Sequence, residues 1–209
     1  MMKFFRKPAD WVLGCDPGPE HCAFALLDCR NEPRVSALCY APNAELSELC
    51  ERDFVRMLGV WSGMNFLPVD SGRRLVYAFE RCSVQAGGAN ALVFETCMMA
   101  GEMRHMMRQF LLSEEDMHSF TPSEWRYVLT GQACAKDANV RHLLLTLDPD
   151  CDILSRRYST KAKKMLGLRK PITSHLRDAI GVAYACGFVH FRKGLELSQF
   201  PARLEVHCG

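Results

Sequence analysis

The stretch Trp11-Val-Leu-Gly-Cys-Asp-Pro-Gly-Pro-Glu-His-Cys-Ala-Phe-Ala-Leu-Leu27 limits what this chain can become. Two apolar runs, residues 11–13 and 22–27, flank a turn that holds Pro17, Gly18 and Pro19, the pattern of a β-hairpin with a slightly long loop. Asp16 stands at the end of the first strand. A carboxylate there is costly to bury alone and needs water, a cation or a metal beside it. The plainer alternative is that Asp16 only begins the turn. Further carboxylates at the ends of neighbouring elements would decide between the two.

Residues 35–40, after the turn at Asn31-Glu-Pro33, are predicted to add a third strand and make an antiparallel meander. Residues 44–57 place Leu46, Leu49, Phe54 and Val55 along one helical face, and residues 59–73, with Gly63, Pro68 and Gly72, read as a loop. Leu75-Val-Tyr-Ala-Phe79 is short and wholly apolar, as in a strand buried on both faces. It ends at Glu80, a second acidic group at a strand end.

After Gly87-Gly88, residues 89–112 have the length and composition of a long helix. Its methionines, among them Met98, Met99, Met103 and Met106, are either adaptable core filler or a self-association face, since one helix rarely buries methionine on so many sides. A short strand is predicted over residues 117–120. Thr121-Pro-Ser-Glu124 is a capping box with proline at the first helical position, so a helix starts at Pro122, and Gly131 ends it. Residues 136–147 form the next helix, closed by Asp148-Pro149. The last long helix covers residues 174–188, capped by Thr173 or Ser174, with His175 and Asp178 in its first turns. One domain over residues 1–190 and a peripheral tail over 191–209 are expected, with a further edge strand at 203–207 as an option.

Composition narrows the setting. A chain of 209 residues, 48% hydrophobic, builds one ordinary core. Its net charge of +2 excludes little, but the distribution is uneven: between residues 153 and 173 every charged side chain is basic. Arg156, Arg157, Lys161, Lys163, Lys164, Arg169 and Lys170 make either a solvated loop or a contact for a polyanion such as nucleic acid. The 11 cysteines show no closely spaced pair, which favours a reducing compartment over a disulfide framework or a zinc knuckle. No apolar segment follows Lys3, Arg6 and Lys7 as in a secretory leader, and the longest apolar run, 180–189, is too short for a bilayer. A cytoplasmic protein without a membrane partner is expected.

Strands and helices in this order imply an α/β fold with a mixed sheet. The first strand would pair antiparallel with its hairpin partner and parallel with residues 75–79. Asp16 and Glu80 would then sit at the same end of adjacent strands, about 5 Å apart. His175 and Asp178, three apart on a helix, share a face. Converging donors of this kind suit Mg²⁺ or Mn²⁺, and two such ions about 4 Å apart activate water and stabilise the leaving oxygen in phosphodiester cleavage. Each residue also has a plainer role, as a surface glutamate or as a partner of the helix dipole.

Leu13-Gly-Cys-Asp-Pro-Gly18 resembles the first-strand motif of the RuvC family of Holliday junction resolvases. Tyr77-Ala-Phe-Glu80 is similar to the strand that carries the family's glutamate, Thr121-Pro-Ser-Glu-Trp125 with Gly131 and Lys136-Asp137 to its middle region, and Ser174-His-Leu-Arg-Asp-Ala179 to its last helix. The four motifs run in order from about residue 10 to 190. The resemblance implies a ribonuclease H-like fold, with a central mixed five-stranded sheet flanked by helices, and a homodimer that nicks branched DNA symmetrically with Mg²⁺ or Mn²⁺, two ions to a site. It places Asp16, Glu80, His175 and Asp178 at the metals and Lys136 near the scissile phosphate, and puts the methionine-rich helix at the dimer interface. It departs from the family three residues after the glutamate, where Ser83 replaces an aromatic, with Arg81 and Gln85 nearby as polar DNA-facing candidates. The alternatives are a nuclease of the same fold acting on other branched DNA or on RNA–DNA hybrid, a non-catalytic DNA-binding protein, and an actin-like nucleotide-binding protein. The last would need a second phosphate-binding loop.

Overall fold

A computed structural model describes residues 9–48, 74–82, 91–108, 114–155 and 172–190. The hairpin is present: β1 (Trp11–Pro17) pairs antiparallel with β2 (His21–Asp28), which pairs antiparallel with β3 (Arg34–Pro42). A short helix α1 (Asn43–Glu48) follows. β4 (Leu75–Glu80) lies parallel to β1, and β5 (Met117–Phe120) lies parallel to β4, giving the sheet order β3-β2-β1-β4-β5. The expected mixed five-stranded sheet is therefore observed.

All seven residues of β1 are buried, because the strand has neighbours on both edges and helices on both faces. Side-chain alternation divides the core in two. Trp11, Leu13, Cys15, Phe24, Leu26, Tyr77 and Phe79 face α2 (Ala91–Arg108) and α1. Val12, Ala23, Ala25, Leu27, Val76 and Ala78 face the other way. There they meet α3 (Pro122–Thr130), α4 (Asp137–Leu147) and α6 (Ile172–His190). A one-turn helix, α5 (Asp152–Ser155), lies between α4 and α6 with Leu154 buried.

Local rules account for the helix ends. The Glu124 N–H donates to Thr121 Oγ1 at 3.3 Å, and the Thr121 N–H donates to Glu124 Oε2 at 2.7 Å, the reciprocal bonds of a capping box. Gly131 ends α3 in the left-handed region at φ 73°, its N–H bonded to the Tyr127 carbonyl. Thr121→Ala removes one of these bonds, and a loss of about 1 kcal/mol is expected in urea unfolding. At the end of α4 the buried Asp148 accepts from the Val35 N–H and the Tyr184 hydroxyl, tying β3 to α6.

Some boundaries differ from the sequence reading. α6 begins at Ile172, so Thr173 and Ser174 lie inside the helix rather than capping it; Pro171 directly precedes it in sequence, and proline suits a helix start. α5 was not anticipated, since one turn is too short to show a period. The expected helix over 44–57 is described only as α1, its remainder lying outside the described residues, as do the loop 59–73, Ser83, Gln85, the basic residues Arg156, Arg157, Lys161, Lys163, Lys164, Arg169 and Lys170, and the tail 191–209. Among the described residues no helix is long and apolar enough to cross a membrane.

Candidate active site

The geometry of the site starts at Gly14. A Cβ placed there would lie 2.2 Å from the Ala179 carbonyl oxygen and 2.8 Å from Ala183 Cβ, so α6 rests directly on the β1 backbone. From Gly14 to Asp16 is two strand residues, about 6.6 Å. From Ala179 back to His175 is four helical residues, about 6 Å. The two advances match, and His175 comes to lie over Asp16: its Nδ1 is 2.6 Å from Asp16 Oδ2. A carboxylate only accepts, so the imidazole Nδ1 carries the hydrogen of this bond. Asp16 is only 5% exposed and His175 partly so. A buried carboxylate at this strand end has therefore found a partner, as its desolvation requires.

Glu80 ends β4. The parallel register pairs Cys15 with Phe79, which brings Glu80 beside Asp16 at the same end of the sheet. Its Oε2 accepts from Trp125 Nε1 at 2.8 Å. Trp125 is buried on α3, and its ring lies against Gly181 of α6, where an added Cβ would be 2.6 Å from Cζ3. Two glycines thus set two carboxylates: Gly14 by admitting α6, Gly181 by admitting the indole that holds Glu80. Asp178 lies in the same turn of α6 as His175 and is partly exposed.

Asp16, Glu80 and His175 come together at one end of the sheet, but not as a closed cage, and Asp178 stands three residues along α6 from His175. Asp16 and His175 bond to each other, Glu80 bonds to Trp125, and among the described residues no three His, Cys, Asp or Glu side chains are grouped as an ion would need. The donor chemistry, three carboxylates and an imidazole, fits a hard divalent cation such as Mg²⁺ or Mn²⁺.

The other candidates are scattered. Lys136 is the exposed N-cap residue of α4, with its carbonyl taking the Asn139 and Val140 N–H groups. Arg81 makes an exposed ion pair with Glu124 at 3.3 Å. The Thr121 main-chain N–H foremost, then the Thr121 hydroxyl and Arg81, hold the Glu124 carboxyl below its ordinary value against the opposing effect of burial.

The methionines correct the sequence reading. Met99, Met103 and Met106 are buried against the chain's own sheet, where flexible side chains fill an irregular aromatic surface, and they offer no contact face. Met98, 67% exposed, points outward with Phe94 at 61%.

Trp125, Tyr40 and His21 were not singled out from sequence. The His21 and Tyr40 rings stack at 4.9 Å and 8°, and Tyr40 lies 5.9 Å from the His175 ring. Burial, then the Asp16 and Glu20 carboxylates, push the Tyr40 phenol up. Trp125 belongs to a motif quoted for its likeness, but nothing in that motif says which way the indole turns.

No protein-family model matches the sequence. No curated protein matches it either. Solved structures do. Thermus thermophilus RuvC in complex with Holliday junction substrate is 16% identical over 87% of this chain and 95% of that one, with a TM-score of 0.54. A second T. thermophilus RuvC structure is 17% identical over 85% and 93%, with a TM-score of 0.49. The yeast mitochondrial Holliday junction resolvase Ydc2 is 15% identical over 88% and 82%, with a TM-score of 0.44. At such identities the likeness is one of fold: the chain has an α/β fold of the ribonuclease H-like kind, a mixed five-stranded sheet flanked by helices.

Proposed function

We propose that this protein is a divalent-metal-dependent DNA endonuclease that resolves four-way junctions by paired symmetric nicks. The observation that carries the reading is the buried Asp16 at a strand end, with Glu80 on the adjoining strand and His175 bonded to it from α6. Its fold is shared with a RuvC solved in complex with Holliday junction substrate. Asp16, Glu80, His175 and Asp178 would hold Mg²⁺ or Mn²⁺, two ions in the complete site. When bound, such ions activate water and stabilise the leaving oxygen of a phosphodiester.

The chain's own groups take the remaining tasks. Asp16 orients His175 through Nδ1, which leaves the single Nε2 lone pair for one task, to ligate an ion or, in place of that, to accept a proton from the attacking water. Trp125 keeps the Glu80 carboxylate aimed along the sheet end. Lys136 supplies positive charge toward the scissile phosphate. Arg81, Ser83, Gln85, Arg156, Arg157, Lys161, Lys163, Lys164, Arg169 and Lys170 contact DNA. Two nicks need two sites, and the exposed Phe94 and Met98 of α2 make the surface through which two copies join. The enzyme acts in the cytoplasm.

The test is incubation of the purified chain with a synthetic four-way junction, with Mg²⁺ and with chelator. Paired symmetric nicks with Mg²⁺ alone support the proposal. Preferential cutting of a fork or an RNA–DNA hybrid reassigns the substrate, and binding without cutting at any metal concentration removes the enzyme. Trp125→Phe keeps an aromatic side chain, though a smaller one, and deletes the N–H that Glu80 accepts. Its cleavage rate is expected to fall about 10–100-fold, measured in single turnover, with junction binding unchanged.

A further inference from the structure

Asp16, Ala23 and Tyr40 stand in one row across three strands, for the β1–β2 register pairs Asp16 with Ala23 and the β2–β3 register pairs Ala23 with Tyr40. All three lie on the α6 face of the sheet, and the middle one is a methyl group. His175 meets both ends of that row: Nδ1 is 2.6 Å from Asp16, and the Tyr40 centroid is 5.9 Å away at a 40° tilt. On a third side is the hairpin turn, where a Cβ on Gly18 would come within 3.6 Å of His175 Cε1. That turn is fixed in its turn by Asn43, whose Nδ2 donates to the Gly18 carbonyl at 3.0 Å. Tyr40 is itself backed by His21, stacked nearly parallel at 4.9 Å.

We propose that Tyr40, backed by His21, is a positioning residue: it confines the His175 ring to the orientation in which Nδ1 meets Asp16. The alternative, a half-buried edge-strand tyrosine with no such duty, leaves unexplained why the ring packs against the α6-side core between His21 and His175 rather than out to solvent. Among the described residues Nε2 of His175 has no hydrogen bond, so Asp16, Gly18 and Tyr40 together define the ring's orientation. The effect on rate rests on the nuclease reading above; the effect on the imidazole does not.

The test uses the full-length chain and two readouts. In metal-free protein a short imidazole–carboxylate bond gives a far-downfield, exchange-protected N–H proton in the NMR spectrum, assigned by its upfield shift in Asp16→Asn, where a neutral amide accepts in place of the carboxylate. Tyr40→Phe is expected to keep that resonance, Tyr40→Ala to lose it, and His21→Ala to broaden it. On a four-way junction with Mg²⁺, kcat of Tyr40→Ala falls about tenfold while KM stays within about twofold, and Tyr40→Phe restores the rate. If Tyr40→Ala does not fold, Tyr40→Leu and His21→Ala carry the comparison. A resonance unchanged in Tyr40→Ala, a loss that Phe does not rescue, or an effect on KM alone overturns the proposal. A wild-type chain that cuts nothing, yet loses the resonance in Tyr40→Ala, upholds the positioning and sinks the nuclease reading instead.

Discussion

Changing Asp16 to asparagine is expected to lower junction cleavage at least about a thousandfold while the fold stands. The substitution is isosteric. Its amide oxygen can still accept from His175 Nδ1, so the partner of this buried side chain is kept. What disappears is the negative charge, the property that a divalent cation and a developing imidazolium both require. Burying a neutral amide instead of a carboxylate is also less costly, which keeps the stability change small. Single-turnover cleavage read beside a circular-dichroism melt separates the two effects. Cleavage within about tenfold of wild type would move the chemistry away from this strand end altogether.

Gly14→Ala is expected to destabilise the chain by about 3 kcal/mol or more, although it adds a single methyl. That methyl would stand 2.2 Å from a helix carbonyl oxygen and 2.8 Å from Ala183 Cβ and N. Two of those three atoms are backbone, so no side chain can rotate aside, and relief requires α6 to lift from β1. Lifting it also withdraws His175 from Asp16, so activity falls with stability. Gly101→Ala is the control. It is exposed on α2 with nothing within 4 Å of an added Cβ, and the same change there should stabilise by about 0.5–1 kcal/mol. Urea unfolding of the two variants should give opposite signs. Equal, small effects would mean that α6 does not rest on Gly14.

Much of this arrangement is readable in the sequence because it follows from strong local rules. The apolar runs at 11–13, 22–27 and 75–79 mark strands, and Thr121, Pro122, Glu124 and Gly131 bound a helix that the structure places at Pro122–Thr130. The adjacency of Asp16 and Glu80 follows from topology, since a crossover between β1 and β4 makes them parallel neighbours. What stays hidden is register and facing. The row of Asp16, Ala23 and Tyr40 exists only once two strand pairings are fixed, and a shift of one residue would send Tyr40 to the opposite face. The indole of Trp125 bonds to Glu80 across 45 residues, a contact that no periodicity encodes. The methionines mislead for a related reason. Thr96, Met99, Ala100, Met103, Met106 and Met107 form one buried stripe with spacings of three and four, and Met98 lies off it. Counting methionines around the helix conceals that stripe.

The division of β1 between two compartments makes its mutational phenotypes alternate. Odd positions, Trp11, Leu13 and Cys15, open toward the methionine helix, so lesions there should surface as thermal sensitivity or as altered assembly. Even positions, Val12, Gly14 and Asp16, open toward the helix that bears His175, and lesions there should register in turnover. A residue-by-residue scan of this strand would then oscillate with a period of two, and the phase of that oscillation would identify the catalytic face without any substrate bound.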